Sequence, residues 1–253
     1  MLENTLMLFL AEDLGIIPKD CPQVLKEFGI PGNEVQRWAK DWTISHDFID
    51  PKDYRPFSVA MLSTHDTTNW PAWWENEAGT IDEALFARRT MSRGIDCENA
   101  KKKLFDPALS RHGRLRWLKG VISSDVLAHA LGKKKEEIAD FIDMYENTYL
   151  EKEKLWKLMG FKGDMKEKSN PEIVEAALNM TLNSRSVFCI ELLTDYLYMA
   201  DIFDRDPYEN RINKPGTVSK TNWSLVVPVS LEKLLKHKIC GKISGKVVAA
   251  NRE

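Results

Sequence analysis

Leu6-Met7-Leu8-Phe9-Leu10-Ala11-Glu12-Asp13-Leu14-Gly15 is the stretch on which the reading of this chain turns. Five apolar residues run without interruption and then give way to two acids. A buried parallel strand shows such a continuous run, whereas a half-buried strand alternates. The pattern returns further along, where Val59-Ala60-Met61-Leu62 leads into Ser63-Thr64-His65-Asp66. In a β/α barrel the C-terminal ends of the strands carry the reactive side chains. Two acids delivered in this way are expected over one rim of a sheet.

The surrounding sequence supports β/α units. Pro22 to Phe28 has helical character, with Pro near the first turn and Gly29 as a stop. Asn33 to Trp38 is a weaker strand candidate and Ser58 to Leu62 a clearer one. Thr67-Thr68 is placed to cap a helix over Asn69 to Asn76, ended by Gly79. From residue 80 to 168 the texture becomes charged and helical, with Ile138, Phe141, Ile142, Tyr145 and Tyr149 at helical spacing. Pro171 opens another helix to about Asn183, and the β-rich Ser186 to Ile190 is the last strand expected. The long loop from Asp204 to Asn222 is of the kind that carries function. Leu231 to Lys236 is expected to be helical, and the basic tail gives no clear pattern. The division expected is 1–79 as barrel units, 80–168 as a helical insertion, and 169–253 as the last strand, a substrate-side loop and a C-terminal helix.

Composition narrows the functions available. The 253 residues are 43% hydrophobic and 29% charged, with a formal net charge of −2. That balance offers no electrostatic attraction to nucleic acid or an anionic membrane. The Lys101–Lys103 and Lys133–Lys135 runs read as solvated helix faces. The opening apolar run is too short to span a membrane and lacks the basic start of a signal peptide. Four scattered cysteines (21, 97, 189, 240) form no C-x-x-C pair, which favours a reducing cytoplasm over a disulfide framework. The five histidines include no i, i+4 pair, so no metal site is expected. Paired carboxylates at strand ends are instead the working parts of glycosidic-bond chemistry.

Three separated motifs agree on a family. They are Ala11-Glu12-Asp13-Leu14-Gly15, extended by Ile16-Ile17-Pro18 and Phe28-Gly29-Ile30-Pro31-Gly32; Thr64-His65-Asp66; and Glu209-x-Arg211-x-Asn213-x-Pro215-Gly216-Thr217 followed by Asn222-Trp223. The chain resembles the 4-α-glucanotransferases (amylomaltases, disproportionating enzymes) of glycoside hydrolase family 77. The resemblance covers nearly the whole chain and the C-terminal half of the family's catalytic domain. It implies an α/β fold, the C-terminal half of a (β/α)8 TIM-type barrel with a helical insertion subdomain.

The resemblance also implies roles. Glu12 matches the family's general acid/base, which needs a raised pKa to protonate a glycosidic oxygen. Asp13 is its nearest carboxylate, although strand alternation points it the other way. Asp66 matches the acid that stabilises the oxocarbenium-like transition state, and His65 its sugar-binding neighbour. Trp70, Trp73 and Trp74 share one helical face, which suits either glucose platforms or a core-facing helix. Trp70 is taken as substrate-binding, with at least one of the three in the core. Asp195 matches a family acid in a loop near the cleft. Arg211, Asn213, Pro215 and Gly216 match the loop that closes over it. No metal or organic cofactor is implied. The implied ligands are α-1,4-glucans, maltooligosaccharides and glucose.

One departure matters most. The family's nucleophilic Asp sits in an Arg-x-Asp-His segment on an earlier strand, and no such segment occurs here. Retaining double displacement needs that nucleophile about 5–5.5 Å from the acid/base. A smaller departure is Val226, where the family has Arg. The chain is therefore expected to be inactive alone and to be a fragmentary gene, one part of a split enzyme with a partner chain carrying the first barrel half, or a mutated remnant. The rival expectation is a non-catalytic glucan-binding or regulatory protein.

Overall fold

A computed structural model of the chain describes residues 6–15, 17–203 and 206–252. Ile16 of the first motif and Asp204 at the start of the long loop lie outside these. The described chain is mixed α/β and divides into two compact units. The first comprises residues 1–40, 48–71 and 169–253; the second comprises 41–47 and 72–168.

The first unit is built on a parallel sheet. Strand β1 (Gly32–Val35) pairs with β2 (Ser58–Met61), with Gly32 opposite Ser58 and Val35 opposite Met61. The second edge partner of β2, a short strand at Phe188–Cys189, also runs parallel. Ser58, Val59, Ala60 and Leu62 are fully buried, as expected of a central strand reading as one apolar run. The helix expected after the first motif is α1 (Cys21–Glu27), with Pro22 in its first turn and Gly29 at φ +63 just past its end.

The first apolar run departs from expectation. Leu6 to Leu10 forms no strand, and Leu6, Met7, Leu8 and Leu10 are exposed. An apolar run becomes a buried parallel strand only when sheet and helix cover it, and most of this run stays exposed.

The second unit is a helical block with a feature the helical pattern hid. Trp70–Ala72 forms a single turn, α2, that carries the chain from the first unit into the second, and a π-helical stretch follows at Trp73–Glu77. Strands β3 (Thr80–Asp82), β4 (Phe105–Asp106) and β5 (Arg114–Trp117) make a small antiparallel sheet in the order β3-β5-β4. They are two to four residues long, too short for alternation to stand out. Helices α3 (Glu83–Ser92), α4 (Cys97–Leu104), α5 (Ser124–Leu131), α6 (Ala139–Thr148) and α7 (Glu151–Leu158) surround it. Their core centres on Phe86, whose ring meets Phe105 and Phe141 edge-on at 5.0 and 5.7 Å. That geometry suits the aromatic quadrupole.

The chain returns to the first unit through α8 (Pro171–Leu182), capped by Asn170, which accepts the Ile173 N–H. Ile173, Val174, Ala177, Leu178, Thr181 and Leu182 give it a buried face. The Phe188–Cys189 strand, which completes the numbering as β6, leads into α9 (Leu193–Met199). Helices α10 (Leu231–Leu235) and α11 (Lys238–Ala249) close the fold. Helix α11 lies in the basic tail and docks through charge: Lys242 and Lys246 both reach Glu175 of α8, at 2.5 and 2.6 Å. No helix among the described residues is long and apolar enough to cross a membrane.

Candidate functional site

Strand β2 ends at Met61, and the residues after it are held by side chains rather than by the sheet. The Leu62 N–H donates to Glu191 at 2.8 Å, and the Ser63 hydroxyl accepts from buried Arg37 at 2.8 Å. The same guanidinium donates to the hydroxyl and carbonyl of Thr68, at 3.0 and 2.8 Å. Between these anchors the Thr67 side chain closes a tight turn on the backbone of Thr64. His65 and Asp66 ride on this turn, with side chains 49% and 35% exposed. A rigid base with exposed tips is what a binding turn requires.

The long loop folds onto that turn. Its base is a 3-10 turn at Pro207–Asn210, where Asn69 donates to the Pro207 carbonyl at 2.7 Å and Asn210 to the Tyr198 hydroxyl at 2.7 Å. Beyond it, Asn213 Nδ2 donates to Asp66 Oδ1 at 2.7 Å, and the Asn213 N–H to the His65 carbonyl at 3.1 Å. Arg211 reaches the Asp66 carbonyl through Nη2 and the Asn213 carbonyl through Nε, both at 2.7 Å. His65 Nε2 stands 3.5 Å from Asp66 Oδ1. Asp66 Oδ2 accepts no hydrogen bond from the described residues. Pro215 and Gly216 form the exposed tip, where Gly216 at φ +73 supplies the turn. Asn222 braces that tip by donating to the Thr217 carbonyl at 3.1 Å.

The structure therefore unites His65, Asp66, Arg211 and Asn213, and corrects three other expectations. Trp70 is fully buried, with its indole N–H donated to Gln36 at 2.7 Å; Trp73 and Trp74 are buried as well. The face shared by the three is a core face, and Trp70 has no surface to offer a sugar. Asp195 is not in a loop. It lies fully buried in the first turn of α9, accepting the Trp70 N–H at 3.4 Å. Burial pushes its carboxyl up to about 6, against the opposing pull of that N–H and of Arg37.

Glu12 is the third. The Ala11 N–H donates to the Pro31 carbonyl at 2.8 Å. Asp13 accepts the Asn33 N–H at 2.6 Å and pairs with Arg55 at 2.7 Å. These anchors flank the first residues of β1 and precede β2, whereas Asp66 follows the far end of β2. Glu12 is exposed between these anchors near the start of β1, whereas Asp66 lies past the end of β2.

Glu191 was not singled out from sequence, although Ser186 to Ile190 followed by Glu191 repeats the pattern of an apolar run ending in an acid. Besides the Leu62 N–H it accepts the Thr181 hydroxyl. Part of the residue reaches solvent, but its carboxyl is desolvated, and with Asp195 nearby its pKa is pushed up to about 8. The folded state thus holds this proton more tightly than the unfolded chain does. Its stability contribution is full below the ordinary glutamate value and falls as pH rises towards about 8. In urea denaturation at pH 5 and pH 8, Glu191→Gln is expected to lose at least about 1 kcal/mol less than the unmodified chain. Equal losses would show that this carboxyl is not desolvated.

Among the described residues no group of three or more His, Cys, Asp or Glu is placed to hold a metal ion. The 4-alpha-glucanotransferase family model matches residues 1–230. The chain is 28% identical over 239 residues to the 4-alpha-glucanotransferase of Chlamydia pneumoniae, covering 94% of this chain and 32% of that protein. It is 27% identical over 238 residues to that of Chlamydia muridarum, covering 94% and 31%. Of solved structures, amylomaltase from Corynebacterium glutamicum aligns with a TM-score of 0.48 and 17% identity, covering 97% of this chain and 29% of that one. The chain thus spans about a third of the length of the relatives it matches.

Proposed function

The chain belongs to the 4-alpha-glucanotransferase family, and from that premise we propose that it is the glucan-holding segment of such an enzyme, the C-terminal half of a (β/α)8 barrel. The observation that carries this reading is the Asp66 turn. Its carboxylate is fixed through Oδ1 by Asn213 and its backbone by Arg211, and its side chain is 35% exposed. A preorganised carboxylate with one free oxygen can hold sugar hydroxyls and oppose positive charge developing at the anomeric carbon.

In the complete reaction an α-1,4-glucan is cleaved with retention and its glucosyl or maltooligosyl part passes to another sugar. Glu12 is the acid/base of that reaction and Asp66 the stabilising acid, with His65, Arg211 and Asn213 on substrate. The nucleophile comes from a segment outside these 253 residues. For Glu12 to act, Leu6 to Leu10 must pair along β1 as a strand, which carries Glu12 towards the rim of Asp66. A neighbouring strand from the first barrel half would supply the cover this exposed run lacks. No cofactor takes part, and the chain works in the cytoplasm.

Binding tests the reading without requiring turnover. In calorimetric titration the chain is expected to bind maltoheptaose weakly, and Asp66→Ala to weaken binding about tenfold, since a carboxylate–hydroxyl contact is lost. Equal affinity in the two proteins would sink it. A second reading, a glucan-binding protein without turnover, is favoured by one observation: His65, Asp66, Arg211 and Asn213 are assembled while Glu12 lies near the start of β1. It differs in predicting no transfer even when the missing segment is supplied.

A further inference from the structure

We propose that Trp223 is a stacking platform for a glucose ring beside the Asp66 turn. The proposal deepens the glucan-binding reading and rests on it. Most tryptophans near this turn are accounted for by packing, but Trp223 is 65% exposed. An indole left in water forfeits most of the apolar burial that makes tryptophan a packing residue.

Its backbone adds a second observation. Trp223 adopts φ +61, a left-handed conformation that is unfavourable for a bulky aromatic. The conformation is held firmly: the Trp223 N–H donates to the Ile212 carbonyl at 2.7 Å, and the preceding Asn222 is tied to Thr217 through its side chain. Strain persists where surrounding contacts fix it, and it recurs at ligand clamps. Here it projects a ring outward that an ordinary turn residue would not carry.

The third observation is where the ring goes. Its centroid lies 5.2 Å from that of His65, at a 40° tilt, and His65 borders Asp66 Oδ1. An exposed indole therefore stands beside His65, which in turn borders the Asp66 carboxylate. The chemistry that matches both is a pyranose, whose C–H face packs on indole while hydroxyls at its edge meet the carboxylate. A neutral α-1,4-glucan satisfies both at once.

The test uses the full chain and maltoheptaose. Asn tolerates the left-handed backbone, so Trp223→Asn keeps the turn and removes the ring. It is expected to retain the melting temperature and to bind maltoheptaose about tenfold more weakly, whereas Trp223→Phe stays within about threefold. A readout on the unsubstituted chain removes dependence on variant folding. With 5-fluorotryptophan incorporated, the fluorine resonance that disappears in Trp223→Phe should shift on adding maltoheptaose. An unshifted resonance, or wild-type affinity in Trp223→Asn, overturns the proposal while Asp66→Ala still tests the glucan reading separately. If the unmodified chain binds no maltoheptaose, both fail together.

Discussion

Purified alone, the chain is expected to show no disproportionation of maltotriose, and to gain it only when a polypeptide carrying the first barrel half and an Arg-x-Asp-His segment is added. Double displacement needs a nucleophile on one side of the anomeric carbon and an acid/base about 5–5.5 Å away. These 253 residues contain no Arg-x-Asp-His segment, and Glu12 lies near the start of β1, whereas Asp66 lies past the end of β2. Such a polypeptide would have to do two things: deliver the nucleophile, and cover Leu6 to Leu10 so that the run pairs along β1. In the reconstituted enzyme Glu12→Gln should then remove turnover by at least about a hundredfold, because an amide cannot donate and recover the proton. Chromatographic analysis of glucan products measures both outcomes. Robust transfer by the chain alone would overturn the account, and Asp13 would be the first carboxylate to test as a nucleophile.

The second large effect expected is on stability. Arg37 is 2% exposed and links the end of β1 to Ser63 and Thr68, the two sides of the Asp66 turn. Arg37→Ala leaves buried acceptors without donors and withdraws the cation that favours the ionised form of Asp195. Breaking a buried charged network in this way costs about 3–5 kcal/mol. Urea denaturation should show that loss, and Arg37→Lys should not rescue it, because an ammonium cannot reproduce the guanidinium fork. A variant as stable as the unmodified chain would mean that this network does not hold the turn.

The residues that announced the family and those that gather at the Asp66 turn overlap only in part. The Thr64-His65-Asp66 and Arg211-x-Asn213 motifs were legible as sequence, and the hydrogen bond from Asn213 to Asp66 joins them across the fold. Trp70 and Asp195 were legible as residue types but not as positions. A tryptophan on a helical face is equally suited to sugar and to core until its neighbours are known, and Gln36 and Asp195 claim Trp70 for the core. Glu191 carried little signal of its own, and Trp223 was legible only as the end of the third motif. A lone acid after a short strand reads as unremarkable until its burial is seen, and a motif tryptophan does not announce its exposure.

Sequence by itself determined the local elements whose causes are local. The continuous apolar run makes β2, Asn170 and Pro171 start α8, and Pro22 with Gly29 bounds α1. Caps, breakers and periodicity act within a few residues, so one chain read in order suffices. Tertiary structure decided everything that needs a distant partner. Leu6 to Leu10 has the composition of a strand but forms none, because a strand's hydrogen bonds belong to the pair. The small β3-β5-β4 sheet arises from segments too short to be seen singly. The Asp66 turn is completed by a loop more than a hundred residues later in the chain, through contacts that only the folded backbone brings within hydrogen-bond reach.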